Sequence, residues 1–386
     1  MIDLDFENLP AMPIIDGSGK KREKEIFSGF VSDYGRYEQI KLVGIRVFGR
    51  RSSKAEIEIA LNSATKPAHS PMKKALKRFF LACQSRWAFH FFRQKDRAFL
   101  VVWNGIKGRR RMLSDAAKSL GHSVYYFEES PFPNRLTIDT SGVNYGSGLP
   151  RIPAFYRAWM AQSDQQSDAW RKQGEHLVAR KTNRQDVGQA AGDSGLAQEN
   201  YIFCPLQVPG DSQITIYGGW IKSVEHMIDE LKSASDALPD GWHLRIKEHP
   251  SAKVGFADKL REMESDKFRV DNVTDTFQQV QSSQAVLNIN SSVGLQAFFY
   301  DKPVIVLGQA FYGIKGLVHC VGDASALRSV LSDPKSVNFD SALRDAFMTY
   351  LDAEYYPAED DVKSGKYTSK DVDERDKRRD AILADL

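Results

Sequence analysis

The sequence predicts an α/β protein of two parallel-sheet domains, and three observations carry that reading. A chain of 386 residues exceeds what one core usually fills, so about two domains are expected. Strand-length apolar runs alternate with helix-length amphipathic stretches, the pattern of βαβ units. A polar, Gly- and Gln-rich stretch from about 160 to 200, including RQDVGQAAGDSGLAQEN, separates two such series.

Residues 1–35 are polar and weakly patterned and read as an arm, and 37–49 (YEQIKLVGIRVFG) as a strand region. Pro71 opens a long helix, PMKKALKRFFLACQSRWAFHFFRQ, whose aromatics recur at helical spacing and are expected in the core. The strand AFLVVWNG, a helix around MLSDAAKSLG closed by Gly121, and the strand SVYYFEE follow; NRLTIDTSGVNYG reads as a β excursion. A helix is expected in the first part of the 160–200 connection, where Trp159, Trp170 and Leu177 interrupt the polarity.

The second series is more regular. YIFCPLQV is a strand, and Ile221, Val224, Met227, Ile228 and Leu231 form a helical stripe. Pro239-Asp240-Gly241 turns into the strand WHLRIK, followed by the helix FADKLREME, the strand FRVDN and the helix TFQQVQSS. The strand AVLNIN, the helix SVGLQAFFY and the strand PVIVLG complete it, with short connections throughout. The expected divisions are an acceptor-side domain over 1–160, a linker over 161–200, a nucleotide-sugar domain over 201–330 and a helical tail over 331–386. Two Rossmann-like domains facing a cleft make a GT-B-like architecture.

Composition bounds the function. Hydrophobic residues make up 42% and charged residues 27%, as in ordinary globular proteins. A net charge of +3 demands no nucleic-acid partner. Basic residues cluster at KKREKE, KGRRR and DERDKRRD; a solvated face is the plainer reading of each, and attachment to an anionic membrane surface or an assembly complex the sharper one. The three cysteines form no CxxC pair, so neither a disulfide framework nor a zinc site is indicated. No run approaches the roughly 18 apolar residues of a membrane span, and MIDLDFENLP lacks the apolar segment of a signal peptide. The chain is therefore expected in the cytoplasm, with a peripheral place at the inner membrane as the variant of that reading.

Polar chemistry recurs where strands end, which is where ligands collect in open α/β sheets. NSSVG begins a helix, whose N–H groups favour phosphate; Asn290, Ser291, Ser292 and Gly294 belong to this turn, and one serine also serves as N-cap. KEHP ends a strand: His249 is placed to donate to a phosphate oxygen, Glu248 to accept from ribose hydroxyls, with Lys247 beside them. Solvated or internally satisfied side chains are the plainer reading. GDSQI holds Asp211 after a Pro-Gly turn, as a cleft carboxylate or as an ordinary N-cap. In the other domain Glu128 and Glu129 end SVYYFEE, and Asn104 and Gly105 end the preceding strand on the acceptor side. Carboxylates from two domains flanking a sugar suit double displacement at an anomeric carbon. No DxD pair follows a strand, so no metal is expected in the donor site.

At these residues the chain resembles the bacterial capsule polysaccharide biosynthesis family, which includes retaining β-Kdo transferases acting on capsule linkers and O-antigens. The matching pieces are YYFEESPF with NRLTIDTSGVNYG, then LQVPGDSQI, RIKEHPS and NSSVGLQAFFYDKPVIVLGQAFY, spanning roughly 97–320. The resemblance implies a GT-B-like fold, a CMP-β-Kdo donor, retention without a metal or other cofactor, and a glycan or glycolipid acceptor. It casts Asp211 as nucleophile, His249, Ser291 and Ser292 as phosphate ligands, and Glu128 as acid/base or acceptor-positioning carboxylate. Relatives carry Glu-Asp-Gly-Phe where this chain has Glu128-Glu129-Ser130-Pro131-Phe132, so Glu129 stays a second candidate. Lys315 and Arg151 are candidates to hold the Kdo carboxylate. The rivals are another GT-B activity, such as a sialyltransferase or UDP-sugar epimerase, and a non-catalytic polysaccharide-binding assembly module.

Overall fold

The computed structural model describes residues 11–64, 68, 70–179, 181–182, 184–192 and 195–386. They form two compact units: one comprises the chain up to Ser130 with Asn134–Gly148 and Asp352–Leu386, the other Pro131–Pro133 with Leu149–Leu351. Each is α/β with a mainly parallel sheet, so the expected class is borne out, helical C-terminal segment included.

In the first unit, strands β1 (Met12–Asp16), β2 (Glu38–Ile40), β3 (Ala98–Trp103), β4 (Ser123–Glu129) and β5 (Leu136–Asp139) lie in the order β2-β1-β3-β4-β5. All pairings are parallel except β4 with β5. Every residue of β3 is buried, which is why AFLVVW is continuously apolar: a strand covered on both faces has no polar side. Helices α1 (Lys21–Phe30), α2 (Lys54–Asn62), α3 (Pro71–Arg93) and α4 (Gly108–Ser119) belong to this unit. Gly121, at φ 82°, ends α4 in the left-handed conformation that glycine tolerates best.

Three local expectations change here. Of the 1–35 segment, residues 1–10 lie outside the described residues, while β1 and α1 are regular and form part of the core rather than an arm. The 37–49 strand stops at Ile40, because the following LVGIRVFG makes no ladder. In α3, Phe89 and Phe92 are core, but Phe79 and Phe80 are exposed; helical spacing gave the face without saying what covers it.

The second unit begins with α5 (Pro153–Gln162) and a 3-10 turn over Ala169–His176 that buries Trp170. The described residues of the expected 161–200 linker fall within this unit, with Trp170, Val187 and Leu196 buried. Strands β6 (Asn200–Pro205), β7 (Trp242–Lys247), β8 (Phe268–Val270), β9 (Ala285–Asn288), β10 (Val304–Val306) and β11 (His319–Cys320) lie in the order β11-β10-β9-β6-β7-β8, all parallel. The chain runs outward from β6 to β8, returns to β9 beside β6, and runs outward again. The β6/β9 boundary is therefore the topological switch point, outside whose carboxyl ends ligands bind in such sheets.

Helices α6 (Ser212–Tyr217), α7 (Val224–Ser235), α8 (Ala257–Met263), α9 (Thr276–Ser282) and α10 (Ser292–Gln296) connect these strands, and α11 (Ala324–Ser332) follows the last of them. In α7 the predicted stripe of Val224, Met227, Ile228 and Leu231 is buried in the core, each side chain contributing about 1.5–3 kcal/mol. The C-terminal segment is divided. Helix α12 (Ser341–Tyr350) stays with the second unit, where Phe347 and Tyr350 meet Tyr156 edge-on. Helices α13 (Glu359–Lys363) and α14 (Ser369–Ala384) return to the first, where Leu136 N–H donates to Pro357 O (3.0 Å) and Arg375 to Ile138 O (2.8 Å).

Candidate functional site

The three strand-end motifs of the second unit follow β7, β6 and β9, which are adjacent in that order in the sheet. The fold thus brings KEHP, GDSQ and NSSVG to one edge, on both sides of the switch point. Gln207 and Asn290 join two of these ends directly. The Gln207 amide donates to Asn290 Oδ1 (3.0 Å), and its carbonyl accepts from Asn290 N–H (3.1 Å). Asn290 Nδ2 also donates to the carbonyls of Gln213 (2.8 Å) and Tyr217 (3.0 Å). Asn290 therefore braces the segments after β6 and β9 against each other, its side chain engaged within the protein.

Asp211 follows Gly210, which turns the chain at φ 75°. Its side chain accepts from Gln213 N–H (3.1 Å) and Ser212 Oγ–H (3.2 Å) and so caps α6. The N-cap reading holds. It also fixes a half-buried carboxylate at the switch-point edge.

Lys247 and Glu248 are buried and internally engaged. The Lys247 ammonium donates to the carbonyls of Gly188 (2.9 Å), Asn272 (3.1 Å) and Thr274 (2.7 Å), and burial pushes its pKa down to about 8. Glu248 accepts from Arg184 Nη1 and from Phe256 N–H, both at 2.8 Å. These two residues bind the 184–190 segment and the loop after β8 to the sheet, where a solvated or ligand-facing role was expected. His249 behaves differently. It is half-buried, and its Nδ1 accepts from Ser251 N–H (3.1 Å), an arrangement that places the ring's proton on Nε2.

Ser291 caps α10, accepting from Val293 N–H (3.3 Å), and its own N–H donates to Asn288 Oδ1 (2.7 Å). Tyr312 Oη sits against Asn288 Oδ1 (2.9 Å) and Ser291 O (2.5 Å), locking the turn from beneath. A Cβ at Gly294 would collide with Tyr312 Oη and Asn288 Nδ2, so the glycine of NSSVG serves close packing. Ser292 is half-buried at the first helical position. Lys315 is exposed and Arg151 half-buried.

In the first unit, Asn104 and Glu128 end the neighbouring strands β3 and β4. Asn104 has φ 63° and Gly105 φ 69°; a side chain at Gly105 would strike the Tyr126 ring. This bend aims Asn104 Nδ2 at Glu128, 2.5 Å away. Burial raises the Glu128 pKa; the bonds from Asn104 and from Glu129 N–H oppose this without cancelling it. A carboxyl held in this way is suited to giving and taking a proton. Glu129 is exposed and paired with Arg22 (2.5 Å), which also grips Glu359 and holds it down at about 2. The two neighbouring glutamates are thus distinguished: one buried and hydrogen-bonded, the other in a surface ion pair.

Sequence reasoning missed Asp16 at the end of β1, fully buried and paired with Arg110 (2.6 Å), which also reaches Glu23 (3.0 Å). The signal was present: PIIDGSG is an apolar run, a carboxylate and a glycine turn ahead of a helix. Gln207 and Tyr312 gave no comparable signal. Among the described residues no cluster of three or more His, Cys, Asp or Glu could hold a metal ion, and no helix is long and apolar enough to cross a membrane.

Residues 176–356 match the model of the family described as capsule polysaccharide biosynthesis protein, so the resemblance carried by the motifs is borne out over that stretch. The chain is 29% identical over 262 residues to "Protein FixF" of Sinorhizobium fredii, covering 66% of this chain and 59% of that protein. It is 22% identical over 297 residues to "Capsule polysaccharide export protein KpsS" of Escherichia coli, covering 60% and 72%. The chain thus spans about three fifths of the length of FixF. Among solved structures, the Thermosulfurimonas dismutans KpsC β-Kdo 2,7-transferase is similar at 13% identity and a TM-score of 0.47, over 92% of this chain and 98% of that one.

Proposed function

We propose that this chain, whose residues 176–356 carry the capsule polysaccharide biosynthesis family match, is a glycosyltransferase moving β-Kdo from CMP-β-Kdo to a bacterial surface glycan or glycolipid, with retention and without a metal. The observation that carries the reading is the pairing of Glu128 with Asn104: a strand-end carboxyl with a raised pKa is what an acceptor hydroxyl needs as its proton partner. CMP leaves with one phosphate, which His249 Nε2–H and the Ser291–Ser292 turn stabilise in place of a cation. Asp211 attacks the anomeric carbon, and its ester is then displaced by the acceptor oxygen as Glu128 takes the proton. The groups are assigned by chemistry and motif; Lys247, Glu248 and Asn290 support them as a scaffold.

The test is incubation with CMP-Kdo, generated in situ, and a panel of defined acceptor glycans, with the product linkage read by NMR. A β-linked Kdo product made by the parent and not by Glu128→Gln supports the proposal. Transfer from UDP-sugars alone, or an inverted linkage, overturns it.

A further inference from the structure

Six arginines of the three basic clusters that stand out in the sequence are held in ion pairs in the fold. In KKREKE, Arg22 is held by Glu129 and Glu359. In KGRRR, Arg110 is held by Asp16 and Glu23, and Arg111 by Glu56. Near the end, Arg375 and Arg379 meet Asp376, and Arg378 meets Glu354. A longer basic surface lies elsewhere. From Gln39 to Ala55 and from Ile59 to Lys95 the sequence contains no Asp or Glu.

Both stretches expose large apolar side chains. The first ten residues of α3 are almost wholly exposed, with Met72 79% exposed and Leu76, Phe79 and Phe80 also open to solvent. At 100° per residue these four and Ala75 share one sector of the helix, and Lys73, Lys77, Lys74 and Arg78 fill the opposite one, Arg78 being paired with Glu58 of α2. The loop after β2 adds Leu42 (77% exposed), Ile45, Val47 and Phe48 (82%), among Lys41, Arg46, Arg50 and Arg51. It rests on the second half of the same helix: Arg46 N–H donates to Cys83 O (3.2 Å), Ser52 N–H to Ser85 Oγ (2.7 Å), and the Arg50 guanidinium lies 4.8 Å from the Phe89 ring centroid.

We propose that the first half of α3 and the 41–51 loop dock this unit onto an anionic lipid surface. Aromatic and aliphatic side chains would enter the headgroup–acyl boundary and the lysines and arginines would pair with lipid phosphates. Charge of one sign interleaved with apolar residues distinguishes this face from a protein interface, whose core is depleted in lysine. It matches an interfacial helix, where cations line the polar face and Phe and Leu the other. A polyanion such as nucleic acid or acidic polysaccharide would use the cations and leave Phe48, Phe79 and Phe80 without a role. The inference is independent of the donor chemistry, because vesicle binding is read without substrate.

The experiment is co-sedimentation of the full chain with vesicles of phosphatidylcholine alone or mixed 3:1 with phosphatidylglycerol. Expected is binding to the anionic vesicles, weak binding to the neutral ones, and loss as salt rises from about 0.1 M to about 1 M. Lys73→Glu with Lys74→Glu should lower the partition by at least about ten-fold, given the roughly five-fold contribution of each juxtamembrane cation. Leu76→Ser with Phe79→Ser and Phe80→Ser should do likewise, with circular dichroism melts confirming the fold. Equal or absent binding to both vesicle types by the parent chain overturns the proposal whatever the variants do. So does loss in the charge variant alone, which would mean a polyanion surface. A parent dimer in light scattering that the Phe79/Phe80 change dissolves would mean self-association, and would also overturn it.

Discussion

Asn104 Nδ2 lies 2.5 Å from a carboxylate oxygen of Glu128, and it reaches there from a left-handed backbone, φ 63°, that asparagine tolerates better than most residues. The bond joins the ends of β3 and β4 and singles out Glu128 from its neighbour Glu129, which Arg22 occupies.

Glu128→Gln should reduce turnover by about 10²–10⁴-fold, the usual contribution of a positioned acid or base, while CMP affinity stays near the parent's. Because burial raises the folded-state pKa, this group's contribution to stability is full below the unfolded carboxyl value and is lost as pH rises through the raised one. Thermal melts across that range should therefore show the glutamine variant gaining on the parent toward neutral pH. Asn104→Ala removes a donor that favours the ionised form, so the limb of the pH–rate profile due to Glu128 should move to higher pH. An unmoved limb would mean that another group titrates there.

Lys247→Met removes the donor shared by three carbonyls, of which Asn272 O keeps Gly188 N–H and Thr274 O keeps Gln279 Nε2, and should cost about 2 kcal/mol by denaturant titration. The folded lysine holds its proton less tightly than the unfolded one, with burial placing its pKa at about 8. The parent's stability relative to the methionine variant should accordingly grow as pH climbs from about 8 toward the unfolded value of roughly 10.4. A variant with parental stability but lost CMP binding would return Lys247 to the nucleotide site.

Much of this was legible in the sequence, for reasons that can be stated. Buried parallel strands are continuous apolar runs, and YIFCP, WHLRIK and AVLN could be counted and ordered from their spacing. Polar residues just past such runs fall at the carboxyl ends of the strands, so the placement of Asp211, His249, Ser291 and Glu128 at strand ends was legible. Their partners were not, because hydrogen bonds between distant segments leave no local trace. Lys247 reads like any strand-end lysine until Gly188, Asn272 and Thr274 surround it, and Asn290 like a turn residue until Gln207 faces it. The exposed half of α3 failed for a related reason: period 3.6 shows a face, and only the tertiary fold shows that Phe79 and Phe80 lie uncovered.

His249→Ala should weaken CMP binding by roughly ten-fold or more, the effect of losing one hydrogen bond to a charged group, with little change in melting temperature. Calorimetry with CMP, UDP and EDTA completes the test. CMP should be preferred and EDTA without effect; binding abolished by the chelator would require a metal in the donor site.

Asp211 is an N-cap and, in the proposed mechanism, the nucleophile, and one pair of variants can separate the two. As N-cap it accepts from Gln213 N–H, and Asp211→Ala should cost about 1 kcal/mol on that account. Asparagine caps a helix as well as aspartate does, so Asp211→Asn should fold like the parent while lacking the nucleophile. Mixed with CMP-Kdo and no acceptor, the parent should gain the mass of one Kdo residue, mapped by digestion to the peptide containing Asp211, and the asparagine variant should gain none while still binding CMP. Retention by two inversions needs that ester, because each displacement at the anomeric carbon reverses its configuration. An adduct that persists in Asp211→Asn would place the nucleophile on another residue and leave Asp211 as a cap.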